Sequence, residues 1–328
     1  MTKLTSVDAK LEATTPVALL STAEAGVLVQ QWHGLKGRVA ALLEAPQANA
    51  AWITQLETLV KQMHELCARD TDAALFLLLQ TAVHGVGRYS AHHAMFAAVV
   101  VDLCGTWLDW TAEENQAVVM AALTMNIGMA AVQDVLAEQV QAPSAEQRRV
   151  VDEHAERSAT LLQEAGVDNV LWLDTVRLHH SAANSSADAP ALTPPQRLAQ
   201  LLARVDIFTA KLSRRRSREG ASATVAARDA CVNTAGQIDA VGATILRVLG
   251  LYPPGSCVRL SSGELAVVTR RGAKAHVPLV ACLRRADGMG MTQPRLIDTG
   301  NPRHRVEQGI TASSLRVLFT PESVLAAR

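Results

Sequence analysis

Gly250–Thr269 reads GLYPPGSCVRLSSGELAVVT, and the change of texture inside it decides the architecture. Tyr252-Pro253-Pro254-Gly255 is a turn. Cys257–Leu260 and Leu265–Thr269 are short β-type runs around Ser261-Ser262-Gly263, the pattern of a hairpin. Val277–Leu283 is a third candidate strand, with Pro278 pushing its start toward a sheet edge. On the other side of Gly250 alanine takes over: 47 of the 55 alanines fall in residues 1–250 and 8 in residues 251–328. Alanine, leucine and glutamine favour helix, so the sequence predicts a mainly α chain, a helical body with a small C-terminal β-rich module.

Several helix ends are legible within the body. Thr111 with Glu114 and Ser144 with Gln147 form capping-box patterns. Thr193 precedes Pro194-Pro195, proline being tolerated in a first turn, and Gly166 is placed to stop the helix that starts near Ser144. Ser181–Pro195 is polar and rich in Ala, Ser and Pro, which reads as a loop. The expected units are an N-terminal helical segment over 1–70, a helical domain over 71–250 and a β-rich tail over 251–328.

Composition narrows the function. Apolar residues make up 49% of the 328 and charged residues 19%, enough to build a core and too little charge for a disordered chain. The 31 basic and 31 acidic side chains cancel, which removes a global electrostatic case for DNA or an anionic membrane as partner. Five scattered cysteines without a C-x-x-C pair exclude a disulfide scaffold and a thiolate zinc ribbon, and fit a reducing compartment. Met1–Thr15 lacks the pattern of an export signal. The most apolar run, Ala117–Val132, carries Thr124 and Asn126 and is shorter than the roughly 20 residues that span a bilayer. The expectation is a cytoplasmic protein with a buried helix at this run.

The chemistry lies in the histidines. His92-His93 opens the apolar stretch Ala94–Leu103, and His154 lies within the helix after Ser144. His179-His180 ends the run from Leu171, where a spacing of four puts Trp172, Val176 and His180 on one side and predicts that His180 points inward. Asp206, four after Leu202, borders a buried stripe. Buried imidazoles and a carboxylate are costly unless they pair or bind a cation, and together they are a ligand set shared by iron, zinc and manganese. The alternative is a hydrogen-bonded core.

These residues occur in a telling order. Tyr89–His93, the stretch Ala121–Gly128, His154, His179-His180, Asp206–Ala210 and Tyr252–Leu260 together resemble the HD-GYP family, helical phosphohydrolases that linearise cyclic di-GMP on iron- or manganese-type centres. The resemblance spans about residues 75–270 and implies an HD-domain-like body. It matches His154, His179 and His180 to one metal centre, and His93 and Asp206 to a second. His92 replaces His93 if the register shifts by one.

The departures bear on activity. Met125-Asn126 stands where the family carries a His-Asp dyad whose aspartate bridges two metals. An uncharged amide does not replace a bridging carboxylate, and a thioether matches hard cations poorly. Ser181–Ser186 stands where the family continues into its Gly-Tyr-Pro loop. The chain therefore resembles a degenerate member whose second centre is weak or empty. One transition metal (Fe, Mn or Zn) on three histidines remains compatible with it, as three-histidine zinc activates water elsewhere. Arg214 and Arg218, in the basic run Lys211–Arg218, are candidates for phosphate binding; a solvated helix end is the other reading.

The function expected is that of a signalling protein acting by binding, with a cyclic dinucleotide, a partner protein or a second copy as partner. The alternative is an attenuated metal-dependent phosphodiesterase using the three-histidine centre. In a third reading, helices from Ala18 to Cys67 mediate oligomerisation. Residues 1–70 leave no room for a receiver, cyclase or sensor domain of α/β fold.

Overall fold

The computed structural model of the chain describes residues 20–46, 50–85, 87–181, 192–232 and 236–327. It is mainly α with a small β module at its C-terminal end. The body runs through α1 (Thr22–Glu44), α2 (Ala50–Arg69), α3 (Thr71–His84), α4 (Tyr89–Trp107), α5 (Ala112–Thr124), α6 (Ala130–Glu138), α7 (Ala145–Glu164), α8 (Val170–Leu178), α9 (Pro194–Leu212), α10 (Ala223–Cys231) and α11 (Ala240–Leu249). The predicted starts are real. Thr111 caps α5, Ser144 caps α7 and Thr193 caps α9, each with a complete capping box. Gly166 follows α7 with φ 93°, a left-handed conformation that costs glycine little. Of the expected loop Ser181–Pro195, residues 182–191 lie outside the described residues, as does Met1–Thr15.

α4 is the axis of the body. It is buried almost all round, and α1, α3, α5, α9 and α11 pack on it. One continuous apolar cluster takes in residues of α1 and α2 together with those of the later helices, so the expected boundary near residue 70 runs through shared core. The apolar run Ala117–Val132 is not a single helix. α5 ends at Thr124, and a 3-10 turn, Ile127–Met129, leads into α6. By length and composition Ala112–Glu138 would suffice to cross a membrane, yet 72% of its most apolar window is buried inside the protein.

The module is a five-stranded antiparallel sheet of order β4-β3-β2-β1-β5. β1 (Cys257–Leu260) and β2 (Leu265–Arg270) form the expected hairpin, and β3 (Leu279–Arg284) starts one residue after Pro278. β4 (Gly290–Asp298) and β5 (Val306–Ile310) are polar strands at the two edges, and β4 carries Pro294, which an edge tolerates. Strand periodicity sends Leu265, Val267, Ala281 and Leu283 into the main core, while Ala266, Val268, Val280 and Cys282 join Tyr252 and Ile297 on the other face. Two short helices, α12 (Ala312–Leu315) and α13 (Pro321–Leu325), return the chain to α1 and α3.

Three contacts bind the module to α3. Arg270 donates from both terminal nitrogens to Asp70 at 2.9 and 3.3 Å, while Asp70 also caps α3 through Ala73 N–H at 2.9 Å. Arg271 pairs with Asp72. Gln80 donates to the Gly255 carbonyl at 2.7 Å. Gly255 has φ 93°, and a Cβ there would lie 2.9 Å from that of Leu79, so backbone conformation and close approach both require glycine.

Candidate metal centre

Three imidazoles converge where α7, α8 and the residues just after α8 meet. His154 Nε2 lies 3.3 Å from His179 Nε2 and 3.1 Å from His180 Nε2, and the three donor atoms all fall within 4.8 Å of one another. His154 Nδ1 donates to the Val151 carbonyl at 2.5 Å, and His179 Nδ1 donates to the Val176 carbonyl at 2.6 Å. A carbonyl only accepts, so each Nδ1 carries the proton and each Nε2 of these neutral rings presents a lone pair. His180 Nε2–H can satisfy one of them, not both. Nitrogens bound to zinc at about 2.0–2.1 Å stand roughly 3.0–3.4 Å apart in tetrahedral or octahedral arrangements. The two spacings from His154 fall in that range, so the three-histidine group, two of whose members are buried, could hold a metal.

The local fold explains the orientation. α8 ends at Leu178, so the helical period that carries Trp172 and Val176 inward does not extend to the histidines. His179 is the buried member, with 1% of its surface exposed, and His180 is an exposed residue whose ring reaches back to His154. This corrects the expectation that His180 is the inward one. Burial, followed by the charge of neighbouring His180, pushes the His179 pKa down to about 3. Burial lowers His154 as well. Both rings are thereby kept unprotonated, the form that binds metal.

His93 and Asp206 also meet: His93 Nε2 donates to Asp206 Oδ1 at 2.7 Å. His93 is 1% exposed and stacks on Tyr89 with ring planes 10° apart. Burial would raise Asp206, but the His93 hydrogen bond and the nearby His93, His179 and His180 outweigh it and hold the carboxyl at about 2. The carboxylate is therefore within electrostatic reach of the three-histidine group. His93 Nε2 and Asp206 Oδ1, atoms a second ion would need, are engaged with each other; His93 Nδ1 faces the Thr209 hydroxyl at 3.5 Å. His92 lies elsewhere, along a cavity bordered by α1 and α3.

Met125 is fully buried and Asn126 is 8% exposed, with no side-chain hydrogen bond to Asn126 among the described residues. The turn they form is set against α7 by Gly128, whose N–H donates to Ser158 Oγ at 3.0 Å. A Cβ on Gly128 would come within 2.9 Å of the Ser158 nitrogen. Thr124, just before, accepts the Trp172 indole N–H at 2.8 Å and so ties α5 to α8.

The basic run divides. Arg214 lines a different cavity with Val83, His84 and Glu219, and Arg218 donates to the Ala210 carbonyl at 2.8 Å. Arg215, not singled out from sequence, is the one whose guanidinium lies 5.2 Å above the Tyr89 ring that stacks on His93. Spacing along the chain could not show this, because Tyr89 is 126 residues away. All five cysteines are buried free thiols, with Cys67 and Cys257 pushed up to about 12 by burial.

No protein-family model, curated protein or solved structure matches this chain. The HD-GYP resemblance rests on its motifs alone.

Proposed function

We propose that the chain is a divergent HD-GYP-like signalling protein that holds one transition metal on His154, His179 and His180 and acts by binding a cyclic dinucleotide or a partner protein. The observation that carries this reading is the pair of proton-free Nε2 atoms on His154 and His179, with His180 beside them at 3.1 Å from His154. It is supported by Asn126, an uncharged amide at the position the resemblance gives to a metal-bridging carboxylate, and by the His93–Asp206 pair, which engages residues that would serve a second ion. When bound, the metal supplies Lewis acidity. The protein's part is to keep His154 and His179 neutral and oriented through Val151 and Val176.

Protein purified without oxygen and analysed for metal is expected to carry about one equivalent of iron, manganese or zinc, lost in His179→Ala, with no turnover of cyclic di-GMP. Turnover that disappears in His179→Ala would overturn the binding reading. A second reading, an attenuated phosphodiesterase on the same centre, is favoured by the ionised Asp206 beside the histidines, a group able to orient a water. Introducing Met125→His with Asn126→Asp tests whether the surrounding pocket supports hydrolysis once a dyad is supplied.

A further inference from the structure

A pocket of about 340 Å3 lies between the sheet and the end of α12, lined by Arg259, Arg284, Arg285 and Arg316 and by no acidic side chain. Strand register aims the first two. Arg259 on β1 and Arg284 on β3 each stand opposite Leu265 on β2, and side chains directly opposite one another share a face. Leu265 turns toward the main core and lines the pocket, so the two arginines flank an apolar floor. Strict alternation would send Arg284 to the other face from Leu283; the register slips there, skipping Leu283 in the pairing with both neighbouring strands. Arg284 Nε donates to the Gly288 carbonyl at 2.9 Å, which holds the guanidinium against a residue of the pocket wall. Arg316 ends α12 with φ 51°, a left-handed conformation that costs an L side chain.

Among the described residues none of these four arginines forms an ion pair, and the Arg284–Gly288 bond is the one side-chain hydrogen bond any of them makes. The acids next to the pocket in sequence are engaged elsewhere. Glu264 bonds Arg295 and Ser262, each at 2.8 Å, and Asp287 accepts the Met289 N–H at 2.9 Å. Glu219, in an adjoining cavity that Arg316 also borders, accepts the Ser313 hydroxyl. Ser314, the remaining polar side chain of the wall, bonds Thr311 at 2.9 Å. Permanent cations gathered without counter-charge repel one another, and an anion relieves the repulsion. A phosphate group carries about −1.5 to −2 at neutral pH, so two of them match four arginines, whose planar forks fit phosphate oxygens. No aromatic side chain lines the pocket, which leaves a nucleobase nothing to stack on.

We propose that this pocket binds an oligophosphate chain of two or three phosphate groups, free or as the tail of a nucleotide, gripped by Arg259 and Arg284 above Leu265 and enclosed by Arg285 and Arg316. The site shares no residue with the three-histidine group and does not depend on the metal reading.

The test is calorimetric titration of the full chain, at about 0.15 M salt, with pyrophosphate, tripolyphosphate, ADP, ATP, orthophosphate and sulfate. Saturable binding of pyrophosphate or tripolyphosphate is expected, at least about tenfold tighter than that of orthophosphate or sulfate. It should weaken about tenfold or more in Arg259→Gln, Arg284→Gln and Arg285→Gln, the effect of losing a charge-assisted hydrogen bond. Arg285 is exposed, so its variant keeps the test valid if a strand variant unfolds. Nucleotides that bind as tightly as the free chains identify the tail as sufficient, and nucleotides that bind more weakly identify the free oligophosphate as the ligand. Because oligophosphates chelate metals, protein stripped by a chelator and dialysed is the control and is expected to bind as the untreated protein does. The proposal is overturned by no binding up to about 1 mM, by parity with orthophosphate or sulfate, by binding of nucleotides alone, by full affinity in the arginine variants, or by binding lost on stripping.

Discussion

His154 and His179 are mirror images in their bonding: each gives its Nδ1 proton to the carbonyl three residues before it and turns a bare Nε2 toward the other across 3.3 Å. The backbone, rather than a carboxylate, fixes the tautomer in both. Ligand orientation is thereby set by the main chain, within α7 for His154 and at the end of α8 for His179.

Metal should act as a stabilising ligand. At a free concentration one hundred times its Kd, a transition metal bound only by the folded chain adds about 2.7 kcal/mol. Thermal unfolding of chelator-treated protein with and without added Zn, Mn or Fe measures this. His154→Ala and His179→Ala are expected to abolish the increment. His180→Ala, which removes the exposed member, should reduce it less.

Acid should destabilise the metal-free protein in a defined window. Burial holds His179 and His92 at about 3 in the folded state, against 6.5 for the free side chain. Below pH 6.5 the unfolded chain takes up protons that the folded chain refuses, so stability falls as pH drops from 6.5 toward 3. Above 6.5 these groups contribute no slope. Each contributes up to about 1.4 kcal/mol per pH unit within the window. Asp206, held at about 2 against 3.8, adds a further loss between those values. Urea midpoints measured from about pH 7 to about pH 4 should decline; a rise on acidification would contradict the assignment.

Thr124→Val should cost about 1–3 kcal/mol, because it strands the buried Trp172 indole N–H while preserving volume. Thr124→Ser keeps the acceptor and should cost less. Denaturant unfolding of the two variants separates the hydrogen bond from the packing of the methyl group.

Gly128→Ala should lower stability by about 1–3 kcal/mol and weaken metal binding with it. The added methyl presses on the backbone of Ser158, one turn beyond His154 on α7, and any retreat of that helix moves the ligand. A stability loss with unchanged metal affinity would show that the turn and the centre are uncoupled.

What the sequence made legible follows from range. The capping boxes at Thr111 and Ser144, the helix start at Thr193-Pro194-Pro195 and the β1–β2 hairpin are decided within a few residues, and they stand where the pattern puts them. The histidines that assemble were identifiable from their order. Which of His179 and His180 is buried was not, since helical periodicity was carried past the end of α8. Arg215 and Tyr89, or Trp32 and His92, are joined only by the packing of α4 against distant segments, which no local pattern encodes. The edge strands β4 and β5 escaped notice because exposed strands need not alternate clearly between apolar and polar residues.

The straps from Asp70, Asp72 and Gln80 to the sheet make α3 a crankshaft. The same helix carries Leu77, Leu78 and Gln80 along the cavity that Trp32 and His92 border. Because Leu265, Val267, Ala281 and Leu283 also sink into the common core, the strands are seated on the helices as one welded piece and not hung from a single joint.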